Sequence, residues 1–327
     1  MHSKLTLLFS FMFLSPSLLW VANAQANNDK HEPITSNVNE EATFVNLALA
    51  NIDNGAPYPI STIILAQADT VPSSSVTEKV DAVTSQPTPP PPVHNFSANV
   101  TLISQYLYRG LTQSNGRPAL QGGIDYNHTS GLYAGIWASS ITWIRDSGGY
   151  PDASANIELD VYGGLKRSLN SYPDFSYDVG FLRYEYPGHY ATGAIKPNTN
   201  EIYGALSWKW LTAKYSHSLG NTFGTGDAKG TNYIDLTAAI PVRDDLMLTL
   251  HAGRQKFKGQ ANPATSSNDS LFSYSDYRAE LAKSFDNNWQ VGIGASFTNA
   301  KDAGYLYGNI NKNIGKNTGY IFVKKTF

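Results

Sequence analysis

The chain contains no cysteine in its 327 residues. This excludes disulfides, thiolate metal sites and a cysteine nucleophile, and it excludes the lipid-modified cysteine of a lipoprotein. Charged residues make up only 15% of the chain and the formal net charge is −2, so no basic surface for nucleic acid is indicated. The hydrophobic content of 41% and the mean hydropathy of −0.30 are typical neither of a helical membrane protein nor of a disordered chain.

Long apolar runs are also missing after residue 24, where no segment reaches the ~20 residues that a membrane-spanning helix needs. Residues 1–24 predict a secretory signal peptide: Lys4 gives a weakly positive start, Leu5–Leu19 forms the apolar core, and Ala22–Ala24 is a small-x-small cleavage site. An uncleaved helical anchor is the alternative, but the core is short and interrupted by Pro16. The sequence therefore predicts export through the Sec route without a helical anchor.

Residues 25–95 differ in composition from the rest of the chain. They carry eight acidic residues against two lysines and end in the proline-rich run Pro87–Pro92, which is typical of a polyproline-type spacer. We expect a disordered periplasmic extension. A tether to the cell wall or to a partner is the alternative.

From Phe96 onward, apolar and polar residues alternate. In the stretch 156–166, Ile157 and Val161 fall on one parity, and Glu158 and Asp160 fall on the other. Because a strand sends alternate side chains to opposite faces, this stretch has one apolar and one charged face. In a soluble sandwich the charged face would meet water, whereas in an outer-membrane barrel the apolar face meets lipid and the charged face lines the interior.

The connector lengths distinguish these two architectures. Connectors after even-numbered segments are mostly short and those after odd-numbered segments are mostly long, which is typical of outer-membrane barrels. The connector 167–173 is an exception. Trp210 alone separates the sixth and seventh segments, which is too short for a hairpin, so one of those two strand ends is misplaced. The sequence predicts an all-β fold over 96–327, a closed antiparallel transmembrane barrel of about twelve strands. The predicted strands are 96–109, 117–127, 132–142, 155–166, 174–185, 200–209, 211–219, 230–240, 245–255, 273–284, 288–298 and 318–327.

The end of the chain and its aromatic residues support a membrane barrel. Residues 319–327 alternate apolar side chains, with Lys325 as an exception, and end in the aromatic Phe327, the form expected for recognition by the barrel-assembly machinery. Aromatic residues at predicted strand ends would form girdles at the two surfaces of the outer-membrane lipid. They are Tyr106, Tyr108, Tyr126, Tyr133, Trp208, Trp210, Trp289 and Tyr320.

Several short motifs occur in order along this region: Tyr106–Ser114, Pro118–Gly123, Ser130–Ser139, Glu158–Gly164, Tyr184–Gly188 and Lys325–Phe327. Together they resemble the TorF family of proposed proteobacterial porins, and the resemblance covers essentially all of 96–327. It implies a porin-type barrel in the outer membrane of a Gram-negative bacterium. It implies no particular solute, and residues 25–95 lie outside it.

Polar residues with inward parity are the candidate pore-lining residues, whose charged rings would filter small solutes. The alternative is that Arg109, Arg117, Glu158 and Asp160 pair with each other and close the lumen, as in narrow barrels. The candidates are Arg109, Arg117, Gln121, Asp125, Glu158, Asp160, Lys166, Asp178, Glu201 and Lys209.

Enzymatic functions have weaker support. His217, near Ser216 and Ser218, is the one candidate for a barrel phospholipase, but no GxSxG motif accompanies it. His251 and Asp276 are possible partners in a barrel protease. No spacing matches a metal-ligand or dinucleotide pattern, so we expect no metal, no cofactor and no catalysis.

The sequence thus predicts a passive diffusion channel for small hydrophilic solutes. The first alternative is a non-conducting barrel whose long loops, notably 256–272 and 299–317, bind a surface ligand or partner. A lipid-hydrolysing barrel is the second alternative.

Overall fold

The computed structural model describes residues 92–150, 152–262 and 266–327. The predicted signal peptide and all of the predicted extension except 92–95 lie outside the described residues. Within the described part of the chain, no helix combines the length and the apolar content needed to span a bilayer.

Twelve antiparallel strands form one closed barrel, which confirms the predicted fold. Each strand pairs with its neighbours in the chain, and β1 pairs with β12 to close the ring, with Val100 opposite Lys325. The strands are β1 His94–Ile103, β2 Ala119–His128, β3 Leu132–Ser140, β4 Ile157–Leu169, β5 Tyr172–Glu185, β6 Thr199–Trp208, β7 Leu211–Ser218, β8 Asn232–Arg243, β9 Leu246–Lys256, β10 Tyr274–Phe285, β11 Trp289–Thr298 and β12 Thr318–Thr326.

All twelve predicted strands are present, and four of their boundaries change the interpretation. β1 ends at Ile103 instead of residue 109, because the chain leaves the wall there. β6 ends at Trp208, which leaves the turn 209–210 before β7 and resolves the connector that was too short. β4 and β5 extend toward each other, so the apparent exception 167–173 becomes the short turn 170–171.

The connectors divide the barrel into a turn end and a loop end. Short turns at 129–131, 170–171, 209–210, 244–245 and 286–288 (a 3-10 turn, Asp286–Asn288) lie at the end where β1 begins and β12 ends. Loops 1 to 6 at the other end are residues 104–118, 141–156, 186–198, 219–231, 257–273 and 299–317. They contain three short hairpins (Leu107–Tyr108 with Leu111–Thr112, Gln260–Asn262 with Ser266–Ser267, Leu306–Tyr307 with Lys312–Asn313) and the helices α1 Trp143–Asp146, α2 Asn268–Phe272 and α3 Asp302–Tyr305.

The two faces of the barrel wall have opposite polarity. Ile124 and Ile293 project outward and are 54% and 59% exposed, whereas Glu158 and Asp160 project inward and are 1% and 0% exposed. Exposed apolar side chains around buried carboxylates would be unfavourable in water, since burial normally selects apolar groups. The distribution is that of a barrel whose outer face contacts lipid.

The aromatic residues divide between the surface and the interior. Trp208, Trp210 and Trp289 are exposed on the outer face near the turn end, where an interfacial girdle is expected. The prediction is wrong for four tyrosines. Tyr106 and Tyr108 are buried in the connector after β1. Tyr133 and Tyr320 point inward: the Tyr133 hydroxyl donates to Asp178 at 2.6 Å and the Tyr320 hydroxyl to Glu280 at 2.5 Å.

Inward-facing glycines lie beneath several of these interior rings. A Cβ added to Gly292 would overlap the ring of Phe322, and one added to Gly294 would overlap the ring of Tyr320. Gly292 and Gly294 therefore provide space for aromatic rings from β12.

A candidate pore constriction and a cavity at the loop end

Loop 1 folds from the wall into the barrel. Its hairpin Leu107–Tyr108 and Leu111–Thr112 is joined by Arg109 and Gly110, which both have positive φ angles of 45° and 77°. Two positive φ angles in a two-residue hairpin correspond to a type I′ turn, in which glycine is strongly favoured. This turn places Arg109 at the tip of the hairpin.

Arg109 fixes the hairpin to the far wall. Its Nη1 and Nη2 donate to the two carboxylate oxygens of Glu201 on β6 at 3.1 and 2.8 Å, and Nη1 also donates to Gln255 on β9 at 2.8 Å. Its guanidinium carbon lies 4.3 Å from the ring centroid of Tyr233 on β8 and 4.9 Å from that of Tyr108. Arg109 and Glu201 are both buried. Because loop 1 connects β1 and β2, which are opposite β6 and β8 in the ring, the hairpin crosses the lumen.

Gly110 completes the contact with the wall. A Cβ at this position would lie 2.6 Å from Cβ of Asp276 on β10, so the backbone of the hairpin tip reaches the strand without room for a side chain. Two tyrosines of loop 1 add further anchors. The Tyr106 hydroxyl donates to Glu158 at 2.9 Å and the Tyr108 hydroxyl to the Tyr184 hydroxyl at 2.7 Å.

Most of the other candidate pore-lining residues lie on the inner face of the strands. Tyr162 donates to Asp125 at 2.5 Å, and Lys166 is opposite Asp178 in the register of β4 and β5. The inner-face set is Gln121, Asp125, Glu158, Asp160, Lys166, Asp178 and Glu201.

Three candidates do not lie on strand faces. Arg109 is in loop 1 and reaches the lumen through the hairpin. Arg117 is exposed in loop 1 before β2. Lys209 is an exposed residue of the turn 209–210, with a φ of 52° and its ammonium 3.8 Å from Asp174, and it does not face the lumen. The alternative pairing of Arg109 and Arg117 with Glu158 and Asp160 is not found, because Arg109 binds Glu201 and Arg117 is exposed.

A second buried cluster lies beside the hairpin. His251 on β9 contacts Asp276 through Nε2 at 3.0 Å and Asp235 through Nδ1 at 3.2 Å, and the Tyr233 hydroxyl is 2.9 Å from Nε2. Sequence reasoning identified His251 and Asp276 as possible partners, and the structure brings them together. They are buried inside the barrel and not at its rim, and they contact the residues that hold Arg109.

The residues considered for lipid hydrolysis do not form a catalytic pair. His217 lies on the outer face of β7 next to Tyr215, with 3.2 Å between the Tyr215 hydroxyl and Nδ1. Ser216 and Ser218 are buried on the opposite, inner face. Among the described residues, no three or more His, Cys, Asp or Glu side chains are arranged so that they could hold a metal ion.

A cavity of about 100 Å³ lies at the loop end, above the hairpin of loop 1. All six loops or the strand ends beside them contribute to this loop-end cavity, and nine of its fifteen lining residues are aromatic, which makes its walls mostly ring faces and edges. The lining residues are Tyr108, Leu111, Gln113, Trp143, Tyr186, Phe223, Thr225, Gln255, Phe257, Phe272, Tyr274, Gly304, Tyr305, Tyr307 and Ile314.

The tyrosine hydroxyls of this cavity are neutral. Burial raises the pKa of Tyr186 and Tyr305 well above the ordinary tyrosine value, and burial also raises the pKa of Tyr307. An ordinary tyrosine is already protonated at pH 7, so these shifts leave the cavity without tyrosinate.

The alternation of apolar and polar residues along the sequence does not reveal the loop-end cavity or the crossing of the lumen. Tyr106 and Tyr108 continue the alternation of β1, so the sequence predicts that they belong to the strand. Arg109 followed by Gly110 is the one local signal for a tight turn at that point.

Comparison with solved structures finds distant similarity to porins. The KdgM porin is 12% identical with a TM-score of 0.42, over 71% of this chain and 99% of that chain. The NanC porin is 11% identical with a TM-score of 0.43, over 71% and 98%. Pseudomonas aeruginosa OprD is 14% identical with a TM-score of 0.36, over 72% and 66%. No match was found among curated proteins.

One family model matches residues 87–327, and it is described as "Bacterial protein of unknown function (Gcw_chp)". The match spans the whole barrel and most of the chain. The chain therefore belongs to the Gcw_chp family of bacterial proteins.

Proposed function

We propose that this protein is a porin of the TorF type in the outer membrane of a Gram-negative bacterium, exported through the Sec route and serving as a passive channel for small solutes. The observation that carries the proposal is the closed barrel with an apolar outer face, a charged inner face and a lumen narrowed by loop 1. A charged interior that is enclosed by a lipid-facing wall is the arrangement that transport of polar solutes requires.

The narrowest part of the path would be the level at which Arg109 reaches Glu201. At this level the lumen presents cationic and anionic groups close together, since His251, Asp235 and Asp276 lie beside the hairpin. A solute would enter between the loops, pass the hairpin and leave along the inner face toward the turn end. The size of the opening and the paired charges, acting together, would select the solute.

The end of β12 has a role in assembly in this proposal. Phe327 is exposed, and its backbone N–H donates to the carbonyl of Ala98 at 2.8 Å, next to the β1–β12 closure. We expect the barrel-assembly machinery to recognise this strand before β1 pairs with it.

Conductance in planar bilayers tests the channel. Purified protein should give stable opening steps whose size depends on the solute, and the Arg117→Ala variant should give the same steps, because Arg117 is exposed and outside the constriction. Persistent absence of steps, both in the wild type and in variants that release loop 1, would contradict a channel.

Absence of opening steps would favour the other candidate function, a non-conducting barrel that binds a ligand at its loop end. Two observations favour this candidate: the hairpin crosses the lumen, and the loops line a partly open cavity above it. Loops 5 and 6 supply six of the lining residues, which are Phe257, Phe272, Gly304, Tyr305, Tyr307 and Ile314.

A further inference from the structure

We propose that the loop-end cavity binds one uncharged, single-ring aromatic molecule that carries a hydrogen-bond acceptor, with phenol as the simplest example. This inference goes beyond the proposed channel, because such binding requires the cavity and does not require the lumen to conduct.

The size of the cavity limits the ligand. Its volume of about 100 Å³ is of the same order as an engineered cavity of about 150 Å³ that binds benzene. One ring with a small substituent fits this volume, whereas two fused rings or a disaccharide do not.

The walls favour an aromatic ring. Aromatic side chains already pack edge to face around the cavity, with Trp143 5.5 Å from Tyr186 and Tyr274 5.2 Å from Tyr305 between ring centroids. A further ring can continue this arrangement from inside, since aromatic pairs are favourable at such separations.

The cavity disfavours a charged ligand. No Lys, Arg, His, Asp or Glu is among the described residues that line it. A carboxylate or ammonium group would lose its hydration there without gaining a counter-ion.

Trp143 lines the cavity, and its polar group has no partner. The indole Nε1 of Trp143 is buried and makes no hydrogen bond with any described residue. A buried N–H donor without an acceptor is unfavourable, and an acceptor on the ligand would satisfy it. Trp143 begins α1 in loop 2, so its ring is held by local structure.

Three other polar side chains of the lining are already hydrogen-bonded, which argues against a sugar. The amide of Gln255 accepts from Arg109 and donates to the carbonyl of Asn232, and the hydroxyls of Tyr108 and Tyr305 donate to Tyr184 and to the carbonyl of Phe272. A monosaccharide with several hydroxyls would displace water without finding enough new partners. Gln255 and Tyr108 also contact Arg109, so a bound ring would lie directly above the hairpin.

The test is equilibrium binding of phenol, benzene, benzoate and glucose to the full-length barrel in detergent, measured by dialysis. We expect phenol to bind, benzene to bind more weakly, and benzoate and glucose to bind at least about 100-fold more weakly than phenol. Trp143→Phe keeps a ring and removes the donor, so it should weaken phenol about fivefold and leave benzene unchanged.

Two further variants make the test specific. Thr225→Phe adds a ring to the cavity from loop 4 and should abolish phenol binding. Trp289→Phe makes the same chemical change as Trp143→Phe on the outer face and should have no effect. The proposal is overturned if wild type does not bind phenol, if glucose or benzoate binds as tightly, or if Thr225→Phe and Trp143→Phe both bind phenol like the wild type. None of these binding results depends on conductance, so the proposed channel function could be wrong without changing them.

Discussion

Replacing Arg109 by alanine should release the hairpin of loop 1 from the far wall. The change removes two hydrogen bonds to Glu201, one to Gln255 and the stacking on Tyr233. It also leaves the Glu201 carboxylate buried without its cation. Loss of one partner of a buried ion pair typically costs ~3–5 kcal/mol, which corresponds to a factor of about 10² to 5 × 10³ in the population of the attached hairpin.

Two measurements should report this release. Single-channel steps of Arg109→Ala should be larger than those of wild type, because the hairpin no longer crosses the lumen. Urea unfolding in detergent or lipid should show a loss of stability of about 3 kcal/mol or more. Arg117→Ala, in the same loop but exposed, should match wild type within about 0.5 kcal/mol.

A double variant separates the missing bond from the buried charge. Arg109→Met with Glu201→Met leaves neither charge unpaired, so both its stability and its conductance should return toward wild type if the apolar side chains keep the hairpin attached. If Arg109→Ala has the conductance and stability of Arg117→Ala, the hairpin does not depend on this ion pair and the proposed constriction is wrong.

Three further predictions concern the wall and the turns. Gly294→Val should displace the ring of Tyr320 and destabilise the barrel by ~1–3 kcal/mol in urea unfolding, whereas Gly204→Ala, which has free space, should not. Ile124→Arg should cost ~2–4 kcal/mol in the same assay if its side chain faces the bilayer midplane. A hydrogen bond from Lys283 holds the pKa of the exposed Asp245 below its ordinary value, so this pair stabilises the fold above about pH 4 and less as the pH falls further; the difference in stability between wild type and Asp245→Asn should shrink in acid.

The strands could be predicted from the sequence because lipid and lumen impose the same alternation on every one of them. Ile157 and Glu158 fall on opposite parities in the sequence and on opposite faces of β4 in the structure. The short turns between strands allow few conformations, so consecutive strands pair with each other in the barrel. The ends of the strands were harder to predict. At Trp208, for example, exposed aromatic residues continue the alternating pattern into the turn.

Loop 1 could not be predicted by the same reasoning. Its alternating tyrosines resemble a continued strand, and only the contact between Arg109 and Glu201, far apart in sequence, decides that the chain turns inward. The loop-end cavity depends on six loops that meet only after the barrel closes. No local pattern in the sequence encodes that meeting.

The orientation of the wall is the central claim, and cysteine scanning of β2 measures it directly. Since the chain has no cysteine, a fluorophore can be placed at one position at a time from 119 to 128 in proteoliposomes that contain a lipid-bound quencher. We predict strong quenching at Leu120 and Ile124 and weak quenching at Gln121 and Asp125, with a period of two. Uniform quenching, or quenching that is strong at Gln121 and Asp125, would contradict a barrel whose apolar face contacts lipid.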